Sequence, residues 1–426
     1  MTFLVLLVFL VGILAGFPLV LTLISAAMAP GLADPEFIAS VQFVLRGIIG
    51  GGNSTSILAA PLFILSGIIM ARGGISQRIF RVFAYVLGPI RGGIPCAVIV
   101  TCMFYGTISG SGTATCAAVG AMTIPILAEL GYDKTFAGAL VATASGLGVI
   151  IPPSIPFIMY GMATGESTGK LFMAGILPGF LVAGLLMAYT VFSCRREGPT
   201  HLPESLERLR EQSFLSLLKE SFWALLTPVI LLGGICSGIV TTTEVACLSV
   251  AYALLVSIFA YQSVSPRQIF SLLDEACRAM APIALMMAAA TVFGRTLTIL
   301  GTPDTLAQFI TDNAYSKPAI LLTVNLVLLL VGMVMDTGPA LMILAPMLLP
   351  LAQSLGVHPI HLGVVMVVNM AVGFVTPPFG VTLFVAAPLC GTSPLALGRK
   401  ALPFVGVFLA ALLLITFIPS ISLCLL

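Results

Sequence analysis

Charged residues along the 426-residue chain fall in short clusters separated by long apolar runs. Runs without Asp, Glu, Lys or Arg cover 1–33, 47–71, 92–128, 135–165, 171–194, 221–243, 245–266, 318–335, 337–398 and 401–426. A helix crosses the hydrocarbon core in roughly 20 residues, so each run is long enough for about one crossing and the longest hold more. The pattern predicts an all-α polytopic membrane protein. A transmembrane β-barrel would show alternating polarity in ten-residue segments, and no such period runs through the chain.

One stretch, 195–219, has the character of water-exposed protein, with Glu197, Glu204, Glu207, Arg208, Arg210 and Glu211. Beyond Pro203, Leu206 and Leu209 fall on one side and charges on the other, which predicts an amphipathic connector over 195–221 lying on the membrane surface. It separates a first membrane half, 1–194, from a second, 222–426. The Arg195-Arg196 pair just beyond an apolar run suggests a cytoplasmic position.

Composition sharpens this picture: 59% of residues are hydrophobic and 8% charged, and the mean hydropathy is +1.16. Soluble domains carry about 25% charge, so an ordinary soluble protein is excluded. A net charge of +2 without a long basic run gives no footing for nucleic acid. The nine cysteines lie mostly inside apolar runs with no C-x-x-C pair, and read as small core hydrophobes rather than disulfides or metal ligands. Met1 to Val20 lacks a basic n-region and reads as a retained first helix.

The two halves share a spacing. Pro125 pairs with Pro350, Gly131 with Gly356, Gly138 with Gly363, Gly148 with Gly373, Pro152-Pro153 with Pro377-Pro378, and Pro178 with Pro403, every pair at one and the same sequence offset. Recurrence of helix breakers at a constant offset predicts an internal repeat.

Two features of each half could carry chemistry. The diprolines, in Gly146 to Ser154 and Val372 to Gly380, sit in uncharged stretches. Proline removes a donor and glycine lowers the cost of unwinding, so broken helices are expected near 135–163 and 361–387. Broken backbone at membrane depth must be buried in protein or face a cavity, where freed carbonyls can bind ions; a simple kink is the alternative. Ahead of each break come Gly106 to Thr113 and Gly332 to Pro339. Small and hydroxyl residues there suit the tips of re-entrant hairpins near 105–130 and 330–355, with close small-residue helix packing as the alternative. Asp336 has its nearest charged neighbours at Lys317 and Arg399, and an intramembrane carboxylate is a site candidate by default.

Other patterns carry less. Gly50 to Thr55 lacks the lysine of a phosphate loop. His358 and His361 have one-turn spacing, but their repeat partners are Asp133 and Phe136, which argues against zinc. Thr241 to Glu244 reads as a helix start. No nucleophile-base pair or acid cluster points to an enzyme.

On Ala60-Pro-Leu-Phe-Ile-Leu-Ser-Gly67, Gly106-Thr-Ile-Ser-Gly-Ser111, Gly148-Val-Ile-Ile-Pro-Pro-Ser154, Leu171 to Gly179, Thr241 to Ala246, Gly356 to Gly363 and Gly373-Phe-Val-Thr-Pro-Pro-Phe-Gly380, the chain resembles the large membrane subunit of tripartite ATP-independent periplasmic (TRAP) transporters. The resemblance implies two inverted-topology repeats, a scaffold beside an elevator-type transport domain, and a place in the bacterial inner membrane. It also implies sodium as coupling ion with no nucleotide, a small membrane subunit, a periplasmic substrate-binding protein, and an organic-acid substrate such as a C4-dicarboxylate, another carboxylate or sialic acid. Carried over residue by residue, it puts one sodium near Gly106, Ser109, Gly148, Ile151 and Pro153. A second falls near Gly332, Gly373, Thr376 and Phe379, and substrate near Ser109, Ser154 and Asp336. Gly106 offers only its carbonyl where a hydroxyl residue would be a better ligand. A stand-alone sodium–dicarboxylate symporter of the same hairpin-and-break design is the alternative.

Overall fold

In the computed structural model of the chain, residues 1–34, 37, 41–52, 58–197, 213–302, 305 and 316–426 are described. Among them every regular element is helical and no strand occurs. Residues 198–212 of the expected connector and Asn53 to Thr55 of the glycine-rich segment lie outside the described residues. With no water in the hydrocarbon core, backbone groups must be satisfied within the chain, and uncharged Leu, Ile, Val and Ala runs do so as helices.

The first half supplies α1 (Thr2–Leu14), α2 (Leu19–Ala33), α3 (Val41–Gly52), α4 (Ala59–Arg72), α5 (Ile75–Leu87), α6 (Gly93–Ser109), α7 (Gly112–Glu129), α8 (Lys134–Ala144), α9 (Leu147–Ile150), α10 (Ile155–Thr164) and α11 (Thr168–Glu197). The second supplies α12 (Phe214–Cys236), α13 (Thr242–Leu255), α14 (Ile269–Ile299), α15 (Lys317–Val334), α16 (Thr337–Ser354), α17 (Pro359–Gly373), α18 (Val381–Cys390), α19 (Pro394–Phe417) and α20 (Ser420–Leu423). Among the described residues eight helices are long and apolar enough to cross a membrane, or up to ten if each bent pair counts as one span.

Local chemistry sets the ends. Ser111, Asp133, Ser154 and Ser393 accept backbone N–H bonds at the starts of α7, α8, α10 and α19. Thr241 and Glu244 form a capping box at α13, the helix start expected there. Burial alone would raise the Asp133 carboxyl, but hydrogen bonds from Thr135 and Phe136 outweigh it and hold the group below its ordinary value.

Part of the succession of elements recurs in the second half. The offset that separates Gly148 from Gly373 also separates α7 from α16 at both their ends, the last residue of α6 from that of α15, and the cis bond Pro152-Pro153 from Pro377-Pro378. The two series interlock: α7 packs on α18, whereas α16 packs on α10. The helix after each tip therefore leans on the helix beyond the break of the other half. One apolar core runs through both, with Phe136 and Tyr189 against Phe404, and Phe157 against Phe172. A smaller cluster joins α4 and α5 to α12, α13 and α14 through residues such as Met70, Ile79, Ala224, Ala253 and Leu272.

Candidate functional site

In the first half the chain turns between α6 and α7 at Gly110 and Ser111. Gly110 adopts φ +60°, a conformation that favours glycine, and its carbonyl accepts from Ile155 N at 3.4 Å. The turn thus rests on the far side of the break at Ile151 to Ser154, where the axis bends by 43°. Behind the turn, Ser109 Oγ lies 2.9 Å from Thr115 Oγ1 and 3.2 Å from the Ser111 carbonyl, and Thr115 Oγ1 donates to that carbonyl at 2.8 Å.

Gly148 faces this cluster. A Cβ there would stand 2.5 Å from Thr115 Oγ1 and 3.1 Å from Ser111 O, and a Cβ on Gly106 would stand 2.5 Å from the Cα of Gly148. The two glycines therefore bring α6, α7 and the helix ahead of the break within touching distance of one another.

The second half repeats the arrangement. α15 and α16 meet at Met335 and Asp336, and a Cβ on Gly373 would lie 2.6 Å from the carbonyl carbon and 2.8 Å from the carbonyl oxygen of Gly332. Beyond Gly373, Thr376 N donates to the Gly373 carbonyl at 3.1 Å, and Thr376 Oγ1 to Val372 O at 2.7 Å. The Phe374 carbonyl accepts from both N and Oγ1 of Thr382. The halves meet at the tips: a Cβ on Gly112 would come within 3.2 Å of the Phe374 ring, and one on Gly338 within 2.8 Å of Met159 Sδ.

The residues expected near the first ion, Gly106, Ser109, Gly148, Ile151 and Pro153, are all buried around one turn and one break. Of those expected near the second, Gly332 and Gly373 are buried and touching, Thr376 is half-buried, and Phe379 exposes 57% of its surface. A phenyl ring carries no oxygen, so any ligand from Phe379 would be its main chain. Among the expected substrate contacts, Asp336 is exposed at the second tip, where Oδ1 accepts from Thr337 N at 2.8 Å. Ser154 behaves differently. It is fully buried, its hydroxyl donates to Val149 O and accepts from Phe157 N, and so in this state it organises the break and caps α10.

Sequence reasoning did not single out Thr115, whose hydroxyl bonds Ser109 across the turn as well as Ser111 one turn back, or Asn325 and Asn369, whose partners lie on other helices. Among the described residues no group of three or more His, Cys, Asp and Glu could hold a metal ion. His358 caps α17, and His361 bonds Ser422 and the Thr416 carbonyl. What the two breaks offer is main-chain and hydroxyl oxygen, a donor set suited to hard cations.

The family profile described as "Tripartite ATP-independent periplasmic transporter, DctM component" matches residues 2–421. The chain is 40% identical over 411 residues to the isethionate TRAP transporter permease protein DctMQ of Oleidesulfovibrio alaskensis, covering 96% of this chain and 63% of that protein. It is 36% identical over 402 residues to the C4-dicarboxylate TRAP transporter large permease protein DctM of Pseudomonas aeruginosa, covering 94% and 92%. In fold it is similar to the crystal structure of the Alcanivorax borkumensis YdaH transporter, with a TM-score of 0.65 and 17% identity over 92% of this chain and 91% of that one.

Proposed function

The chain belongs to the DctM family, the large permease component of TRAP transporters and multi-pass proteins of the bacterial inner membrane, and on that premise we propose that it imports an organic acid coupled to sodium. The observation that carries this reading is the pair of glycine contacts, Gly106 with Gly148 and Gly332 with Gly373, each where a hairpin-like tip meets a diproline break. Backbone approach of this kind leaves no room for side chains between the segments, so the oxygens nearby are main-chain and hydroxyl ones such as Ser111 O, Thr115 Oγ1 and Gly332 O, an uncharged donor set that suits a coupling cation.

Sodium then binds at Gly106, Ser109, Gly148, Ile151 and Pro153, and again at Gly332, Gly373, Thr376 and Phe379. Thr115 joins the first set through its bonds to Ser109 and Ser111. Substrate sits between the two tips, near Ser109 and Asp336, with Ser154 holding the first break in shape. Its carboxylate gains from the positive ends of α7 and α10, whose N-termini lie at the first tip and break. The relatives' names, isethionate and C4-dicarboxylate, mark the acid class, and the family resemblance adds sialic acid.

The two series of helices act as inverted repeats. α1–α5 with α12–α14 form the scaffold, and the hairpins and broken helices form a transport domain that moves as an elevator. A small membrane subunit covers the scaffold and a periplasmic binding protein delivers the acid; the isethionate relative is longer than this chain and carries the name DctMQ. Coupling requires that sodium and substrate each raise the other's affinity.

The test is uptake of labelled organic acids into proteoliposomes containing the chain and its small subunit, with and without the binding protein, under sodium or potassium gradients. Uptake that needs both sodium and the binding protein is expected. Sodium-driven uptake without the binding protein would make it a stand-alone symporter, and uptake equal in potassium would remove sodium from the mechanism.

A further inference from the structure

The second half holds a buried polar seam that has no counterpart among the described residues of the first half. Asn369 Nδ2 on α17 donates to the main-chain carbonyl of Asn325 on α15 at 3.0 Å and to its Oδ1 at 3.1 Å. Asn325 Nδ2 donates to Thr416 Oγ1 on α19 at 3.0 Å. His361, on α17, takes up the Thr416 carbonyl at 3.3 Å and Ser422 Oγ at 3.1 Å. All five side chains are buried, Asn369 completely.

The repeat offset leads from Asn325, His361, Asn369 and Thr416 back to Val100, Phe136, Ala144 and Val191, so the first half packs the same place with apolar groups. The fold does not require polarity there. Nor is the seam tuned for stability, because Asn369 Oδ1 is buried without a hydrogen-bond partner. An acceptor left so costs about 1–3 kcal/mol, which Ala at the equivalent position avoids.

What differs between the halves is how the helix before the tip is held. α6 packs on α7, α8 and α9, and its tip is tied to α7 by Ser109, Ser111 and Thr115. α15 makes little contact with α16 and packs chiefly on α17, and among the described residues no side-chain hydrogen bond links it to α16. Only 22% of α15 is buried, the smallest share of the eight single-helix spans. Its register therefore depends on α17. Asn369 lies one turn before Gly373, and Asn325 two turns before Gly332. A slip of one residue, about 1.5 Å, would pull the Gly332 carbonyl off Gly373.

The geometry points to Asn325 and Asn369 as positioning residues for the second ion site: their clamp fixes α15 against α17 so that Gly332 meets Gly373. The inference rests on the sodium reading above, and the seam through Thr416 and His361 anchors the clamp to α19 and α20.

The experiment transplants the first half's solution, Asn325→Val with Asn369→Ala, into the complex with its small subunit. Thermal stability of the purified complex is titrated with NaCl against KCl at constant ionic strength. The wild type should gain stability with sodium. The variant should keep its melting temperature in KCl, since the first half packs with this pair, while half-maximal sodium rises by about tenfold or more, as for lost supports of metal ligands. An unchanged sodium midpoint, a collapsed KCl baseline or failure to fold would each assign the seam to packing and overturn the clamp. A wild type indifferent to sodium would overturn the sodium reading itself, and the clamp with it.

Discussion

Gly106 and Gly148 approach so closely that a Cβ on Gly106 would stand 2.5 Å from the Cα of Gly148, too near for any side chain. The contact joins α6 to α9, with α7 and α8 between them in the chain. It sits where the first tip meets the first break, so the spacing of those glycines sets the shape of the candidate ion site.

Gly148→Ala is expected to displace Thr115 Oγ1, 2.5 Å from the new Cβ, and to press on the Ser111 carbonyl. Overpacking typically costs about 1–3 kcal/mol, so the protein should still fold while sodium-driven uptake falls sharply. Gly184→Ala, with nothing within 4 Å of its Cβ, is the control. Equal uptake by the two variants would show that the packing at Gly148 is immaterial.

Thr115→Val removes a hydroxyl that bonds Ser109 and Ser111 and keeps the shape of the side chain. One net hydrogen bond is worth about 0.5–1.5 kcal/mol, so stability should drop modestly while the sodium needed for half-maximal uptake rises. Thr123→Val, whose hydroxyl returns only to Val119 O one turn back, should leave that midpoint in place. If both variants titrate alike, Thr115 has no part in the ion site.

Asp336→Asn keeps an oxygen able to accept from Thr337 N, so the start of α16 survives. The charge is lost. Among the described residues Asp336 makes no ion pair, which leaves its carboxylate available to ion or substrate. A hydrogen bond to a charged group contributes about 1.5–3 kcal/mol, so affinity should fall by about ten- to hundredfold. The measurement is uptake rate and cation dependence in proteoliposomes, and no change in either would remove Asp336 from the site.

Some of this was readable from residues taken singly. Pro152-Pro153 and Pro377-Pro378 marked the breaks because proline cannot continue a helix, and the small and hydroxyl residues of Gly106 to Thr113 suited a tip whose turn the structure places at Gly110, with φ +60°. Ser154 was readable only in part. The family resemblance pointed to it as a substrate contact, but whether its hydroxyl faces substrate or caps α10 depends on where Val149 and Phe157 lie around it. Thr115 was hidden among many helical threonines whose hydroxyls return to the carbonyl one turn back, as Thr101, Thr123 and Thr143 do.

The all-helical membrane character, the repeated offset between the halves and the places where helices must stop were all set along the chain, because each follows from local physics: hydrophobic length, and the missing donor of proline. Tertiary structure decided which of those places meet. The crossing of α7 onto α18 and α16 onto α10, the contact of Gly332 with Gly373, and the Asn325–Asn369 clamp all join residues far apart in the chain. Such pairings arise from packing whole helices in three dimensions, and no periodicity along one helix encodes which neighbour it will touch.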